Sequence, residues 1–450
     1  MISHQRYNRR TVLKGAAAGA AALALPGEAL AAPSRDVVHL EFWNPASDPT
    51  GKIIITNLVN GFNNTVGKAN GIFVNSRIVP VPNEAAYVKY TTAMTSSGSP
   101  DVVMTYEYTP VGAWAGNGFI QPLDAYAKTS GIKEGDFFPI AWDMLNFGGH
   151  IWGLLQEFDF NQFWWNKQIH KGPPPKTIGE LDALAMKYNK FDKKGNLIQA
   201  GIIPWFAAGG GYTTDWNALF GGSFYDHANG KWTINTPQNR KFLEWFLKYV
   251  HVFGGRSKAD ALASSTPTTY NAGDVLLWHK AAFGLEGEYI PPELKQLKNN
   301  LQYGIAFPPT GPGVPYGTNT TGGGNLFLLP TKCPHPKEAV TFIQYMGTKA
   351  VMAWCLPASN MAPTKAAVYS EQFSKTLPWI KPWVDTLRFN HMVPPASSPQ
   401  SFLFATSMTT AIDEVTYLKK TPAQALAEVD QKVSRAVQQF KQFHPTWPTE

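Results

Sequence analysis

Strand-like and helix-like segments alternate along the chain beyond residue 36, and this order constrains the fold more than any single motif. Val37–Trp43 is a short β-rich run, and Ile53–Phe62 follows it with helical spacing of its apolar residues. A strand over Ile72–Val81, a helix over Asn83–Ser97 and an apolar strand over Pro100–Met104 continue the pattern. Helices that repeatedly follow strands predict an α/β fold, in which crossovers connect parallel strands.

Later helices carry their own local signals. Thr177 and Glu180 have the spacing of a capping box at the start of Ile178–Tyr188. Pro237 precedes a helix over Gln238–Tyr249 at a favourable first position. The final helix, over Pro422–Phe443, has one apolar stripe and is expected to pack on a core.

Length and composition predict a folded protein with more than one lobe. The chain has 450 residues, 44% of them hydrophobic and 16% charged. That length supports two lobes with a core each, and that composition is not typical of a disordered chain. No later segment is a long uncharged apolar stretch, so the mature protein is expected to be soluble.

Residues 1–31 predict an export signal peptide. A basic start is followed by an apolar run, too short for a membrane helix, and by a small-residue site at Ala29–Ala31. The segment Asn8–Lys14 resembles the twin-arginine export motif, although Asn8 and Val12 stand where Ser and Phe are usual. The mature protein is therefore expected in the periplasm or another extracytoplasmic space.

Charge and motifs exclude several functions. The formal net charge is +7, part of it in the signal, and no run of Lys and Arg indicates a nucleic-acid partner. The chain contains no Walker motif, H-E-x-x-H, G-x-S-x-G or Cys/His metal spacing. We expect no cofactor and no metal.

The two cysteines, Cys333 and Cys355, leave two alternatives open. Helical patterns over His335–Tyr345 and Thr348–Trp354 would bring them together if the helices are antiparallel, which permits one disulfide in an oxidising compartment. Two buried free thiols are the other alternative, because sequence does not supply the Cα separation.

Several short motifs, in one order, resemble the extracellular solute-binding proteins of ABC importers, specifically the sugar-binding group that includes maltose-binding protein. They extend over roughly 36–440 of the chain. Each motif alone is weak evidence. The motifs are Phe42-Trp43-Asn44, Ser99–Val103, Gly118–Asp124, Gly153–Lys167 with Trp164-Trp165 in place of a Tyr pair, and Pro175–Leu181.

The resemblance implies a two-lobe periplasmic binding protein fold of type II-like architecture, with hinge strands between the lobes. One lobe would hold residues 32–154 plus 326–354, and the other 155–325 plus 355–450. The chain would cross between them near 153–157, 322–326 and 354–358. Ligand would bind in the cleft, and the lobes would close on it by hinge rotation.

The function implied by the resemblance is capture of a carbohydrate without chemistry. The partners would be a small sugar ligand and a membrane permease energised by a separate ATPase, with the binding protein as a monomer. A binding protein for glycerol-3-phosphate or a glycerophosphodiester is an alternative, which would need Arg or helix N-termini aimed at phosphate. A secreted carbohydrate-active enzyme with Glu107 and Asp159 as paired carboxylates is an alternative of another class.

A sugar site needs polar groups for hydroxyls and aromatic rings for the apolar faces. Trp43 and Asn44 close the first strand, where a core Trp and a turn-forming Asn are the alternative. Tyr106 and Glu107 follow the buried strand, and ligands bind at the carboxyl ends of parallel strands. Asp159 lies where some disaccharide-binding relatives carry an Asp.

Further candidates have a structural alternative of comparable weight. Trp205 and Trp216 flank Gly209–Gly211 and are either a stacking platform or core, as is Trp278. Gly322–Gly324 permits either a hinge or a close approach to ligand. The remaining ligand-binding candidates are Gly323, Gly324 and Asn325 of this segment, and Arg388, for which a surface position is the alternative.

Overall fold

The computed structural model describes residues 36–81, 84–130, 132–206, 215–267, 275–321, 323–445 and 447. From Val37 onwards the chain forms one compact unit. Within the described part of the chain, no helix combines the length and the apolar character that crossing a membrane requires.

The strands follow one another in this order: β1 Val38–Asn44, β2 Ile72–Ile78, β3 Val102–Glu107, β4 Asn146–Phe147, β5 His150–Ile151, β6 Gly153–Asp159, β7 Gln162–Asn166, β8 Lys190–Phe191, β9 Leu197–Gln199, β10 Tyr225–Asp226, β11 Lys231–Trp232, β12 Phe283–Glu286, β13 Tyr303–Ala306, β14 Asn319–Thr320, β15 Gly323–Leu328 and β16 Met392–Val393.

The α-helices are α1 Pro49–Phe62, α2 Lys68–Asn70, α3 Val88–Thr95, α4 Thr109–Gly116, α5 Asp124–Ser130, α6 Pro139–Asp143, α7 Ile178–Tyr188, α8 Asp215–Leu219, α9 Pro237–Phe253, α10 Arg256–Ser264, α11 Ile290–Gln296, α12 Pro336–Gln344, α13 Val351–Ala358, α14 Lys365–Val368, α15 Glu371–Thr376, α16 Lys381–Phe389, α17 Ser401–Thr416 and α18 Pro422–Phe443. Short 3-10 turns cover Glu84–Tyr87 and Glu134–Asp136, and π-helical turns cover Asn63–Gly67 and Tyr345–Lys349.

The larger sheet has the strand order β2-β1-β3-β15-β6. Strands β1, β2 and β3 are parallel, as the alternation of strands and helices predicted. The sheet is mixed, because β15 runs antiparallel to both β3 and β6. That pairing joins segments far apart in sequence, which no local pattern reveals.

A second sheet has the order β12-β7-β13 and is antiparallel throughout. Strand β7 is buried along its whole length, so apolar side chains cover both of its faces. Only Phe160 and Asn161 separate β6 of the larger sheet from β7 of this one. The chain therefore passes directly from one sheet to the other at these two residues.

The predicted helix starts are confirmed. Thr177 Oγ1 accepts a hydrogen bond from Glu180 N at 3.1 Å, and a Glu180 carboxyl oxygen accepts one from Thr177 N at 3.3 Å, which completes the capping box. The long C-terminal helix α18 has the predicted bounds. Its stripe is buried at Leu426, Val429 and Val433, so it packs on the core as expected.

The two cysteines are free thiols, which was the second of the two alternatives. Cys333 Sγ lies 3.4 Å from Asp101 Oδ1, just before β3. Cys355 Sγ lies 3.6 Å from the carbonyl oxygen of Gln156 in β6. Each thiol is thus buried against a different strand of the larger sheet, and burial raises the pKa of both.

Gly324→Ala is expected to destabilise the protein by roughly 3 kcal/mol, as overpacking of a core does. A methyl group at Gly324 would lie 2.4 Å from the carbonyl oxygen of Glu157 and 3.0 Å from Phe158 Cα, both on the neighbouring strand β6. Denaturant unfolding measures the change. Gly98→Ala is the matched control, because a methyl group there meets no atom within 4 Å, and equal effects of the two variants would contradict the prediction.

Candidate functional site

The ends of three parallel strands, β1, β3 and β6, lie beside the first residue of β15 at one edge of the larger sheet. Gly323, the first residue of β15, is paired with Glu107 at the end of β3 and with Asp159 at the end of β6. Strand β1 pairs with β3 in parallel and ends at Asn44. We call this edge, with Asn44, Glu107, Asp159 and Gly323, the strand-end edge. Open α/β sheets bind ligands at such an edge.

Trp43 is half-buried beside the strand-end edge and packs edge-on against Tyr90, with ring centroids 5.9 Å apart. The Arg77 guanidinium lies 5.0 Å from the centroid of the Trp43 ring. A cation above an aromatic ring stabilises its position, so this Trp is held in place from two sides.

Asn44 is fully buried, and its amide is already bonded within the protein. Its Nδ2 donates to Ser76 Oγ at 3.0 Å and to the Arg77 carbonyl at 3.3 Å, and its Oδ1 accepts from Ala46 N at 3.2 Å. This pattern is that of a turn-forming Asn. The geometry therefore favours the structural alternative for Asn44.

Tyr106 precedes the end of β3, and its backbone N–H donates to Tyr87 Oη at 3.1 Å. Burial raises the pKa of the Tyr106 hydroxyl, and the nearby carboxyls of Asp48, Glu157 and Asp159 add to that effect. The hydroxyl thus stays protonated and can donate a hydrogen bond. The side chain of Glu107 and the whole of Gly322 lie outside the described part of the structure.

A group of three carboxyls lies behind the strand-end edge, and we call Glu157, Asp159 and Glu288 the carboxyl cluster. Glu157 and Asp159 are on the same face of β6, and Glu288 follows β12 of the second sheet. Glu157 and Glu288 are buried, whereas Asp159 is half-buried. Burial raises the pKa of Glu157 and of Glu288 well above the ordinary value, and the charge of Asp159 raises both further.

Asn325 supports the carboxyl cluster from β15, directly opposite Glu157. With its amide oriented so that both ends are satisfied, Nδ2 donates to Glu157 Oε1 at 3.0 Å and Oδ1 accepts from Trp354 Nε1 at 3.2 Å. Asn325 is fully buried, so it positions Glu157 from inside the sheet.

Glu288 and the aromatic residues beside it were not predicted from the sequence. Glu288 Oε1 accepts from Met361 N at 3.2 Å, and Trp379 Nε1 donates to the carbonyl oxygen of Glu288 at 2.9 Å. Tyr289 and Trp379 are half-buried. The available signal was a carboxylate just after the strand β12, the same rule that selected Glu107.

Trp205 and Trp216 are buried in the core, which favours the core alternative that the sequence left open. Trp205 packs edge-on against Phe246 and Phe253, with centroids 6.2 and 6.0 Å away. Trp216 lies 4.6 Å from the Trp245 ring, and its Nε1 donates to the Pro204 carbonyl.

Two other candidates lie apart from the carboxyl cluster. Trp278 is half-buried in the turn Val275–His279. Arg388 is an exposed residue of α16 that pairs with Asp385 at 3.5 Å and stacks 5.3 Å from the Tyr369 ring. Arg388 therefore has the surface position that was the alternative to ligand binding. Gly209–Gly211 lie outside the described residues.

Comparison with known sequences identifies the family. The sequence profile of bacterial extracellular solute-binding proteins matches residues 55–353, well over half of the chain. The chain belongs to this family. A profile of twin-arginine translocation signals matches residues 6–26, which confirms the signal prediction and means that this solute-binding protein is exported.

One curated relative matches part of the solute-binding protein. It is an uncharacterised ABC transporter extracellular-binding protein of Pyrococcus horikoshii, 28% identical over 239 residues. The match covers 49% of each chain, so the solute-binding protein spans about half the length of this relative.

Solved structures confirm the two-lobe periplasmic binding protein fold. CpMnBP1 with mannotriose bound superimposes with a TM-score of 0.76 at 25% identity, over 88% of this chain and 100% of that one. A cyclo/maltodextrin-binding protein complexed with maltotetraose superimposes with a TM-score of 0.67 at 18% identity, over 89% of this chain and 97% of that one. The maltose/maltodextrin-binding domain MalE from Bdellovibrio bacteriovorus, bound to maltotriose, superimposes with a TM-score of 0.67 at 17% identity, over 89% of this chain and 100% of that one.

A further buried carboxyl of the solute-binding protein, Asp215, joins α8 to the connection between the sheets. Its Oδ2 accepts from Asn161 Nδ2 at 2.9 Å, and the Asn161 carbonyl accepts from Asn319 Nδ2 at 2.7 Å. Burial raises the pKa of Asp215 from the ordinary 3.8 to about 7, although the hydrogen bond from Asn161 opposes the rise.

Asp215→Asn is expected to remove a pH dependence of stability. Because the folded-state pKa of Asp215 lies above the unfolded value, the free energy of unfolding falls as pH rises from about 4 to about 7. At about 1.4 kcal/mol per pKa unit, the variant should be more stable than the parent by up to roughly 4 kcal/mol above pH 7. Urea unfolding at a series of pH values measures this.

The control for Asp215→Asn is Asp192→Asn, which is expected to change the free energy of unfolding in the opposite direction. Hydrogen bonds from Asn196 lower the pKa of the Asp192 carboxyl, so its contribution to stability is present above the unfolded pKa and is lost as pH falls. Asp192→Asn should therefore reduce stability at neutral pH. If the parent and Asp215→Asn show the same pH dependence, the assignment of the buried carboxyl is wrong.

Proposed function

We propose that this protein captures a carbohydrate in a cleft between two lobes and delivers it to an ABC permease in the membrane, which a separate ATPase energises. The observation that carries the proposal is the strand-end edge, where the carboxyl cluster lies with half-buried aromatic side chains. Carboxylates accept hydrogen bonds from sugar hydroxyls, and aromatic faces pack against the apolar side of a sugar ring.

The ligand class is supported by CpMnBP1, which covers 88% of this chain and has mannotriose bound. We propose a short neutral oligosaccharide, with Asp159 as the main hydroxyl acceptor because it is the least buried member of the carboxyl cluster. Trp43, Tyr106 and Trp379 are half-buried aromatic residues that we propose to pack against the sugar. Glu107, at the same edge, is proposed as a second acceptor.

The electrostatics of the carboxyl cluster disfavour a phosphate-bearing ligand. A glycerol phosphate or phosphodiester needs Arg side chains or helix N-termini around its phosphate. The charged groups that act on Tyr106 and on Glu157 are instead the carboxyls of Asp48, Asp159 and Glu288. A phosphate would be repelled at this site.

We infer that the protein binds its ligand without catalysing a reaction, since its family is one of binding proteins. The proposed lobes are residues 32–154 plus 326–354, and 155–325 plus 355–450. Their support is that β1, β2 and β3 fall in the first and β7, β12 and β13 in the second, with β6 and β15 beginning near the boundaries. Ligand that contacts both lobes would favour the closed state of a monomer.

Asp159→Asn is expected to weaken sugar binding by about 10- to 100-fold, the loss of a hydrogen bond to a charged group worth roughly 1.5–3 kcal/mol. A thermal-shift panel of mono- and oligosaccharides, polyols and glycerol phosphates on residues 32–450 identifies the ligand, and calorimetry then compares the variants. Arg388→Ala is the control and should bind like the parent, because Arg388 is an exposed residue paired with Asp385.

Two outcomes would contradict the proposed function, and a third would contradict only the proposed role of Asp159. A hit that depends on phosphate would replace the sugar by a glycerol phosphate or phosphodiester. A sugar that is consumed during incubation would make the protein an enzyme. Equal affinity of the parent and Asp159→Asn would remove Asp159 from the binding site while leaving the ligand class intact.

A further inference from the structure

Glu157 is an enclosed carboxyl of the carboxyl cluster beside the proposed binding site. It lies in the interior of β6 with only 4% of its surface exposed. Asn325 Nδ2 donates to its Oε1 at 3.0 Å, and the backbone of Asn325 supplies a further hydrogen bond to the carboxyl. No described N–H group donates to the buried Oε2. One oxygen of Glu157 is therefore fixed by Asn325, and the other is directed elsewhere.

Glu157 and Asp159 are neighbouring acids, and the interaction between their side chains raises the pKa of Glu157. The two residues are separated by one position on β6, so their side chains lie on the same face of the strand. An ionised carboxylate only accepts hydrogen bonds, so two ionised groups cannot form one. A hydrogen bond between these two side chains would therefore need one of them to be protonated.

Burial decides which residue carries the proton. Glu157 is enclosed, whereas Asp159 is half-buried at the end of β6. Removing a charge from water costs more at the enclosed position, so the neutral form belongs to Glu157 and the ionised form to Asp159.

The other elements packed against Glu157 favour the same assignment. The titratable groups that face it are Asp159 on β6, Glu288 after β12, Cys355 on α13 and Tyr106 on β3. All are acids, and like charges disfavour a second ionised carboxyl. Burial is the largest cause that raises the pKa of Glu157, followed by the charge of Asp159.

We propose that Glu157 is a protonated carboxylic acid whose O–H donates to Asp159 and holds the Asp159 carboxylate in the orientation that binds a sugar hydroxyl. Glu157 is thus a positioning residue, and the inference rests on the proposed function for the role of Asp159. Ionisation of Glu157 at high pH replaces the hydrogen bond by repulsion between two carboxylates. Sugar affinity then falls as pH rises, while the fold is retained.

The experiment compares the parent with two substitutions at the same position, with the sugar found in the ligand screen as the probe. Glu157→Leu removes both the donor and the charge. Glu157→Gln cannot ionise but keeps an N–H group that donates to Asp159. Calorimetric titrations from pH 5 to pH 9 measure the dissociation constant of each, and NMR of protein labelled with carbon-13 at the Glu carboxyls follows the Glu157 proton directly.

We expect the affinity of the parent to fall as pH rises through the raised pKa of Glu157, Glu157→Leu to be weak at every pH, and Glu157→Gln to regain most of the affinity with no pH dependence. A purely structural role would change unfolding but leave the pH dependence of the dissociation constant the same in all three. Glu371→Gln, at an exposed ion pair, is the control for loss of a carboxylate.

Two results would overturn the proposal. One is an NMR titration in which Glu157 is ionised at pH 7. The other is Glu157→Gln that binds as weakly as Glu157→Leu. The NMR result does not require a ligand, so it tests the Glu157 proton even if no sugar binds, in which case the proposed function fails separately.

Discussion

Strand β15 lies antiparallel between β3 and β6, and the geometry of the site depends on this pairing. Its first residues bring the end of β3 and the end of β6 to one edge, so that residues far apart in sequence lie side by side. The close approach of β15 to β6 requires a residue without a side chain at Gly324. Asn325, the next residue, then reaches Glu157. The close packing of β15 on β6 thus also determines the position of the Glu157 carboxyl.

The same placement explains why Gly324 and Asn325 serve the site without being exposed to a ligand. Both are buried in the middle of the sheet, where Gly324 permits the strand contact and Asn325 holds a carboxyl. Both were ligand-binding candidates from the sequence, and their burial in β15 favours a supporting role. Binding residues held by buried hydrogen bonds lose less entropy when ligand binds, because their orientation is already fixed.

Local signals predicted the elements that depend on neighbours in sequence. The strands β1 and β3, the capped helix α7 and the stripe of α18 all follow from residues within a few positions of one another. The antiparallel second sheet and the burial of Trp205 and Trp216 depend on partners far along the chain, which sequence spacing does not encode. Twin-arginine export and the family followed from motifs, whose order carried more information than any one of them.

The candidate site was predictable where chemistry and strand ends coincide, as at Asp159 and Tyr106. Glu288 was missed because its contact with the cluster arises from the return of the chain at Met361, after α13. Glu157 and Glu288 are costly to bury, and an apolar side chain at either position would make a more stable core. These carboxyls lie where the two sheets and their connections meet, and they reduce stability. Buried groups that reduce stability are typical of a functional site, where ligand recognition and not packing determines the residue.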